Sequence, residues 1–314
     1  MELLTVTLTQ ITVMFCFIIV GFVLRKSGII EANVGTVLAC LETFVFMPLL
    51  CFRNFSTYMT VENITVKWPI FIFSAAVFAL VFFFSKLISG IFSNDKYIKG
   101  VYVYSFTVPN VGYFGYPLIE AVFGKEGLFN FMLFCVPLYL FIYTVGMNML
   151  MNKSKFTLKR LLNPVMIGIA LGMLVGLIGI PMPEVVTKTV STGAACMGPC
   201  AMILTGYVLA KTPLKSMFTN GKMYLASFIR LIVLPFGAGA LVYLVCYLLK
   251  LDNIYVFLTV AALCLPMGLN GVVFPEAAGK DGTAGVQACC ISSIFGIITI
   301  PSIFLLLNFL GITL

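Results

Sequence analysis

The sequence contains no histidine among its 314 residues, and it is also poor in charge. Without histidine the chain has no Ser-His-Asp arrangement, no imidazole ligand for haem and no HExxH zinc site. Only 10% of its residues are Asp, Glu, Lys or Arg, whereas soluble domains average about a quarter. The two shortages argue against a histidine-dependent enzyme and against a soluble globular domain.

Apolar residues take the place of the missing charges and make up 61% of the chain. Because a membrane-spanning helix needs about 20 apolar residues, we expect a polytopic membrane protein. We predict an all-α fold with ten transmembrane helices. The predicted segments are 5–24, 33–52, 68–92, 97–123, 127–150, 162–181, 188–210, 222–248, 253–278 and 283–312.

The ten cysteines lie in apolar stretches, so we expect small buried hydrophobes rather than disulfides. Cys196 and Cys200 could share a helix face, but a metal site needs more soft ligands nearby. No Walker sequence is present, which argues against an ATP-driven pump within this chain. We therefore expect no metal and no cofactor.

The net charge of +8 is explained by basic loops at the cytoplasmic side rather than by nucleic-acid binding. The first apolar run has no basic residues before it and no cleavage site, so we expect a retained span. Twelve Lys and Arg lie in the connections we assign to the cytoplasm and five in the opposite ones. We predict the cell (cytoplasmic) membrane, with both termini outside.

Two predicted spans carry the same disruptive pattern. Residues 108–127 read "VPNVGYFGYPLIEAVFGKEG" and residues 265–282 read "LPMGLNGVVFPEAAGKDG". Both hold Pro, Asn, Gly, an aromatic-Pro pair, a Glu and a final Gly-Lys-acid-Gly, although the spacings differ. Since five spans reverse the chain direction, two sets of five would form inverted repeats.

Proline and glycine interrupt a helix, and irregular backbone inside a membrane persists only within protein or along a cavity. The half-helix N-termini that a break exposes suit a carboxylate. Paired breaks in inverted halves point to a transporter's central site. The alternative is that these residues only kink the spans for packing.

Glu42 and Arg230 are charges within predicted spans, and such charges indicate function by default. They could pair with each other or respond to protonation, whereas Arg230 could instead snorkel to the cytoplasmic surface. Glu120 and Glu276 lie near the far ends of the broken segments. They are either solvated helix-end residues or groups with a gating or proton-handling role. All four are coupling candidates.

Further candidates for the wall of a substrate site come from spans five and ten. They are Tyr139, Tyr143, Gln287, Ser292 and Ser293. Serine within a span also serves as a contact between helices, so a packing role stays open for the serines.

The chain resembles the auxin efflux carrier family, which includes PIN-like carriers and bacterial organic-acid permeases. The resemblance rests on "PNVGYFGYPLIEAVFG", "LNPVMIGIALGMLVG", "GPCAMILTGYVLA", "CLPMGLNGVVFPEAAG" and "CISSIFGIITIP". These stretches follow the family's order and cover most of the chain. The resemblance implies two inverted five-span repeats, with a scaffold from 1–60 and 160–218. It implies a transport unit from 61–159 and 219–314 and elevator-type movement of a small organic anion.

Carried over from the family, Pro109 and Pro266 mark the points where spans four and nine break and cross. Asn110 falls on the family's crossover asparagine, and Asn270 fits the asparagine of bacterial members. With Tyr143, Gln287 and the two serines they form the predicted substrate site. Met267 replaces a polar residue of the plant carriers, and the plant carriers' long central loop is missing, which puts plant-like auxin recognition in doubt.

The sequence favours a secondary transporter or uniporter for a small carboxylate, such as a dicarboxylate or an auxin-like acid. The expected partners are that anion, the lipid bilayer, protons as an open option and a second copy bound through the scaffold. A cation/proton antiporter of similar topology is the alternative, but it would want an acid at the crossing. A non-transporting membrane sensor is a second alternative. An intramembrane enzyme would need a nucleophile with an activating base.

Overall fold

The structure is a computed structural model that describes residues 2–31, 33–151, 158–211, 213 and 218–313, nearly all of them helical. Among these residues the one extended pairing is a bridge between Pro109 and Met267. The helices are α1 Glu2–Lys26, α2 Val34–Tyr58, α3 Val61–Lys67, α4 Pro69–Phe92, α5 Lys96–Thr107, α6 Val111–Met151, α7 Pro164–Ile178, α8 Glu184–Leu209, α9 Gly221–Leu249, α10 Ile254–Leu263, α11 Asn270–Ala277 and α12 Thr283–Phe309.

Seven of the described helices are long and apolar enough to cross a membrane, namely α1, α2, α4, α6, α8, α9 and α12. The shorter helices α7 and α10 are apolar as well. Large apolar side chains such as Phe83, Leu87 and Ile298 are exposed on the outer surface. An apolar surface of this kind suits lipid rather than water. The predicted helical membrane protein is confirmed, and the count of ten spans stays a prediction.

Local sequence sets where several helices begin and end. Helix α7 begins after Asn163, whose side chain accepts a hydrogen bond from the Met166 N–H at 3.1 Å, and Pro164 occupies its first turn. It ends at Gly179, which has a left-handed φ of 71°. Asp95 caps α5 in the same way, since its carboxylate accepts from the Ile98 N–H at 2.8 Å.

Helices α1 and α8 approach each other closely at two glycines. A Cβ at Gly21 would lie 2.0 Å from the Ile203 carbonyl oxygen, and one at Gly206 would lie 1.9 Å from that of Ile18. Between membrane helices close packing replaces the hydrophobic effect as the main attraction, so small residues mark the tightest interfaces. These two positions therefore hold α1 against α8.

Helix α7 packs on α2 through three glycines spaced four residues apart. A Cβ at Gly168, Gly172 or Gly176 would lie 2.6 to 2.9 Å from carbonyl oxygens of α2. Four-residue spacing puts all three on one helix face. The backbones of α2 and α7 are consequently in close contact, although less close than those of α1 and α8.

Both predicted broken segments are interrupted in the structure. Helix α5 ends at Thr107 and α6 begins at Val111, while α10 ends at Leu263 and α11 begins at Asn270. The interrupted residues contain the first proline of each repeated pattern. The predicted breaks are confirmed.

The ends of the two repeated patterns also share a backbone conformation. Gly124, a non-helical residue that divides α6 into two helical parts, has a φ of 72°, and Gly279, which follows α11, has a φ of 69°. Residues with side chains seldom adopt this left-handed region. The glycine that opens each Gly-Lys-acid-Gly motif is thus required by the turn that it makes.

Four stretches of wide, π-type helical turn interrupt the described helices. They are Glu42–Phe46 in α2, Val111–Gly115 and Ile142–Gly146 in α6, and Ile229–Val233 in α9. Such turns are rare and are often found at functional sites. Two of the four carry the intramembrane charges Glu42 and Arg230, and a third follows the break in α5–α6.

All ten cysteines are unpaired, but their predicted burial is only partly right. Cys51, Cys135 and Cys264 are among those buried in the core, whereas Cys16 and Cys40 are exposed on the outer surface. The apolar character of a span does not tell which of its residues face outward. The thiols of Cys16 and Cys40 are on the outward side of their helices.

Gly206→Ala should lower the free energy of unfolding in detergent by about 1–3 kcal/mol, because its methyl group would collide with the α1 backbone. Gly237→Ala is the matched control, since nothing lies within 4 Å of its Cβ position. The control should be neutral or gain up to about 1 kcal/mol from helix propensity. Equal stability of the two variants would contradict the close α1–α8 contact.

Candidate functional site

The two breaks meet and complete each other's backbone hydrogen bonding. The Asn110 N–H donates to the Pro266 carbonyl oxygen at 2.9 Å, and the Gly268 N–H donates to the Val108 carbonyl oxygen at 3.1 Å. Non-helical backbone at membrane depth has to find such partners because lipid offers none. We call the residues 108–110 and 264–269 the crossing.

Four helix ends point at the crossing. The C-terminal ends of α5 and α10 border it, and so do the N-terminal ends of α6 and α11. A helix carries about half a positive charge at its N-terminus and about half a negative charge at its C-terminus. The crossing therefore brings two partly positive and two partly negative ends together.

The prolines leave carbonyl groups without their usual helical partners. Pro266 has no N–H that could donate to the Ala262 carbonyl. The Asn110 N–H donates across the crossing to Pro266, so the Phe106 carbonyl also lacks the donor it would have in a regular helix. Arg230 supplies both missing donors. Its Nη1 lies 3.0 Å from the Phe106 oxygen and its Nη2 lies 3.5 Å from the Ala262 oxygen. One side chain thus joins the C-terminal ends of α5 and α10.

Arg230 is fully buried, with 0% of its surface exposed. The alternative that it snorkels to the cytoplasmic surface is therefore wrong. The wide turn Ile229–Val233 of α9 carries it, and its guanidinium points to the crossing rather than along the span. None of the ion pairs in the described part of the chain includes Arg230.

Glu42 is equally buried, but it does not pair with Arg230. Neither carboxylate oxygen has a hydrogen-bond partner among the described residues. The titratable groups that face it are Tyr113 of α6 and Cys200 of α8. The pairing that the sequence left open is not formed, and the two charges lie in different surroundings.

A cavity of about 80 Å³ lies beside the crossing. On one side it is bounded by the crossing and by α6 and α11, and on the other by Met47 of α2 and Val165 of α7. Its polar and aromatic wall is formed by Thr43, Asn110, Tyr113, Tyr139, Tyr143 and Asn270. Pro109 also lines the cavity, and Pro266 contributes the backbone contact behind it.

The two asparagines differ in how they are held. Asn110 is only 3% exposed, and none of the described residues hydrogen-bonds to its side chain. The Asn270 amide faces the Tyr104 hydroxyl. Both lie beside the first turn of a half-helix, so their amides can supply donors at that end.

Aromatic rings cover much of the remaining cavity wall. Tyr139 and Tyr143 stack with ring centroids 6.4 Å apart and planes 15° from parallel, and Tyr143 contacts Phe274. The Tyr139 hydroxyl lies 3.6 Å from the Met47 sulfur. Amides and helix N-termini next to flat apolar surfaces suit a ligand with one anionic group and an apolar body.

Three of the predicted wall residues of α12 lie outside the cavity wall. Ser292 accepts a hydrogen bond from the Met267 N–H at 3.0 Å, so it supports the backbone of the crossing. Ser293 is buried beside Cys289, and Gln287 accepts from the Asn220 amide at 3.3 Å. Ser292 therefore has the packing role that the sequence left open for serine. Direct substrate contact stays a prediction for Gln287, Ser292 and Ser293.

Glu120 and Glu276 each have a cationic partner on another helix. Arg53 of α2 pairs with Glu120 of α6 at 2.5 Å, and Lys211, just after α8, pairs with Glu276 of α11 at 2.9 Å. All four side chains are partly exposed. The two acids are therefore helix-end residues that are ion-paired and still reach solvent.

The two ion pairs lie at opposite ends of the molecule. Successive long helices reverse the chain direction, so α2 and the first part of α6 end at one face and α8 and α11 end at the other. At the second face the Lys222 ammonium donates to the Phe92 carbonyl at 2.8 Å, which joins the start of α9 to the end of α4. We call these the Arg53 face and the Lys211 face.

Tyr113 and Thr43 are cavity residues that the sequence interpretation missed. Tyr113 lies between two glycines of the broken stretch, and that position could have drawn attention to it. Thr43 is the neighbour of Glu42 in the wide turn of α2. Nothing in the sequence places Thr43 opposite the crossing, because that contact depends on how α2 packs.

A family model described as Membrane transport protein matches the chain over residues 6–156 and 153–304. The two matches together cover nearly the whole sequence. None of the curated proteins matches the chain.

Ser292→Ala should lower the free energy of unfolding by about 1–3 kcal/mol, because the buried Met267 N–H loses its partner. Ser302→Ala is the control on the same helix, since that exposed hydroxyl only donates to the Ile298 carbonyl one turn earlier. Its effect should stay within about 0.5 kcal/mol. Unfolding of both variants in mixed detergent micelles gives the comparison, and a harmless Ser292→Ala would remove Ser292 from the support of the crossing.

Proposed function

Because the chain belongs to the membrane transport protein family, the family of the auxin efflux carriers, we propose that it moves a small organic anion across the cytoplasmic membrane. The observation that carries the proposal is the crossing, where two half-helix N-termini and the amides of Asn110 and Asn270 adjoin one cavity. Transport is a secondary or uniport process with no cofactor.

The anion's carboxylate binds at the first turns of α6 and α11, with the two asparagine amides as further donors. The apolar body of the substrate lies against the tyrosines. The cavity of about 80 Å³ is smaller than ordinary ligand pockets of about 300 Å³ or more. We infer that the site is closed in this structure and widens when α2 and α7 move away from the crossing.

Movement of one unit against another would open the site. The proposed scaffold is α1, α2, α7 and α8, and the proposed transport unit is α4–α6 with α9–α12, as two inverted sets of five spans. Supporting this division, α1 packs along α8 and α2 along α7, whereas α4 packs on α5 and α6 and α9 on α10. The glycine contacts lie within the proposed scaffold, and the cavity lies between the units.

A cation/proton antiporter fits the crossing less well. Such a protein would need an acid there, but this crossing presents two asparagines and a buried arginine. Glu42 is a buried carboxylate and a candidate for coupling, and it faces Tyr113 of the cavity wall and Cys200. Coupling to protons or to a counter-substrate is decided by the assay below.

Proteoliposome uptake of a panel of radiolabelled organic acids tests the proposal. Asn110→Ala and Asn270→Ala should each reduce the initial uptake rate by about tenfold or more, the effect of losing a hydrogen bond to a charged group. Asn308→Ala, at an exposed position near the end of α12, should transport like the wild type. Wild-type uptake by both crossing variants would reject the site, and a wild type that takes up no acid would favour a sensor.

The same vesicles with and without a pH gradient identify the coupling. Proton coupling should make accumulation follow the gradient, and Glu42→Gln should remove that dependence while leaving exchange of the acid intact. Accumulation that is equal at all gradients would leave Glu42 without a coupling role.

The two ion pairs between the proposed units must open in turn during such a cycle. Lys211→Glu should change the uptake rate by about fivefold. This factor corresponds to about 1 kcal/mol, the upper end of what an exposed ion pair contributes. The double variant Lys211→Glu with Glu276→Lys should recover it. Reversal of the exposed Lys188–Glu184 pair within α8 is the control and should have no effect. Failure of the double variant to recover would reject a role for this pair.

A further inference from the structure

Arg230 has contacts that a purely packing residue would not need. Its two Nη atoms reach carbonyl oxygens at the C-terminal ends of two different half-helices, α5 and α10. It is fully buried, and it comes from a third element, the wide turn of α9. A positive charge at a helix C-terminus offsets the negative end of the dipole.

We propose that Arg230 determines the charge preference of the crossing, because it offsets both C-terminal ends and leaves the two N-terminal ends to act on a bound anion. This inference rests on the proposed function and adds a specificity-determining residue to it. Arg230 does not line the cavity, so it acts through the backbone of the crossing.

The charges at the crossing give the sign of the effect. The two C-terminal ends contribute about half a negative charge each, so together they offset about one guanidinium. The N-terminal ends of α6 and α11 contribute about half a positive charge each. With Arg230 the crossing is therefore positive by about one charge, and without it the four ends sum to about zero.

The described surroundings of Arg230 leave this charge available. No carboxylate in the described part of the chain pairs with it. The titratable group that interacts with it is the thiol of Cys264, which lies in the crossing itself. The buried carboxylate of Glu42 faces Tyr113 and Cys200 instead.

A residue that only ties two helices together would affect stability and turnover, but it would leave substrate affinity unchanged. A residue that sets the potential at the site changes the affinity for anions specifically. The KM for an anionic substrate, measured beside the thermal stability of each variant, separates the two roles.

The first test compares Arg230→Gln with Arg230→Lys in proteoliposomes. The probes are radiolabelled benzoate, succinate and indole-3-acetate, and the acid with saturable wild-type uptake is used. Arg230→Gln should raise its KM by about tenfold or more, the size of a helix-end charge effect in a partly buried setting. Arg230→Lys keeps the charge, so its KM should stay within about threefold of the wild type. Arg25→Gln, which removes an equal charge at the end of α1, should leave the KM unchanged.

A second pair of variants keeps Arg230 and its hydrogen bonds in place. Cys264→Asp sets a negative charge beside the guanidinium, and Cys264→Asn has the same shape without that charge. The aspartate variant should have a KM well above that of the asparagine variant, because the two differ in charge and not in shape. This pair gives the result even where Arg230→Gln does not fold.

The outcomes separate this inference from the proposed function. A folded Arg230→Gln with wild-type KM, or equal KM values for Cys264→Asp and Cys264→Asn, would overturn the role of Arg230 while anion transport stands. A wild type without saturable uptake of any of the three acids would overturn anion transport, and the inference would fail with it.

Discussion

Backbone hydrogen bonding inside the membrane is the constraint on which the rest of this structure depends. Each unpaired N–H or C=O costs several kcal/mol in hydrocarbon, and two prolines remove donors from the middle of the protein. The chain answers with bonds between the two breaks, with the Ser292 hydroxyl and with the guanidinium of Arg230. The helix ends, the asparagines and the cavity are held in place because these backbone groups are satisfied there.

The position of the breaks could be predicted from sequence because proline and glycine act locally. The same holds for Asn110 and Asn270, which lie within the disrupted stretches, and for the glycines of the Gly-Lys-acid-Gly motifs. The partners of Arg230 could not be predicted, since both carbonyls belong to helices distant in sequence. Glu42 shows the same limit, because charge and depth suggested a pair that the packing of α2 does not make.

Two kinds of packing meet at the cavity. Helices α1, α2, α7 and α8 approach through glycines at backbone distance, which gives a close, rigid contact. Across from them the crossing is lined by tyrosines and amides and leaves open space. Ion pairs at the Arg53 face and the Lys211 face join the two sides at their rims. A small number of polar contacts therefore joins the tightly packed helices to the helices of the crossing.

The two backbone hydrogen bonds between the breaks, from Asn110 to Pro266 and from Gly268 to Val108, have a consequence for biosynthesis. The first break enters the membrane well before the ribosome has made the second, and elongation takes on the order of ten seconds or more for the intervening chain. During that interval the Asn110 N–H and the Val108 carbonyl lack the partners they have in the finished protein. The nascent chain must keep water, or the insertion machinery, at residues 108–110 until residues 264–269 arrive.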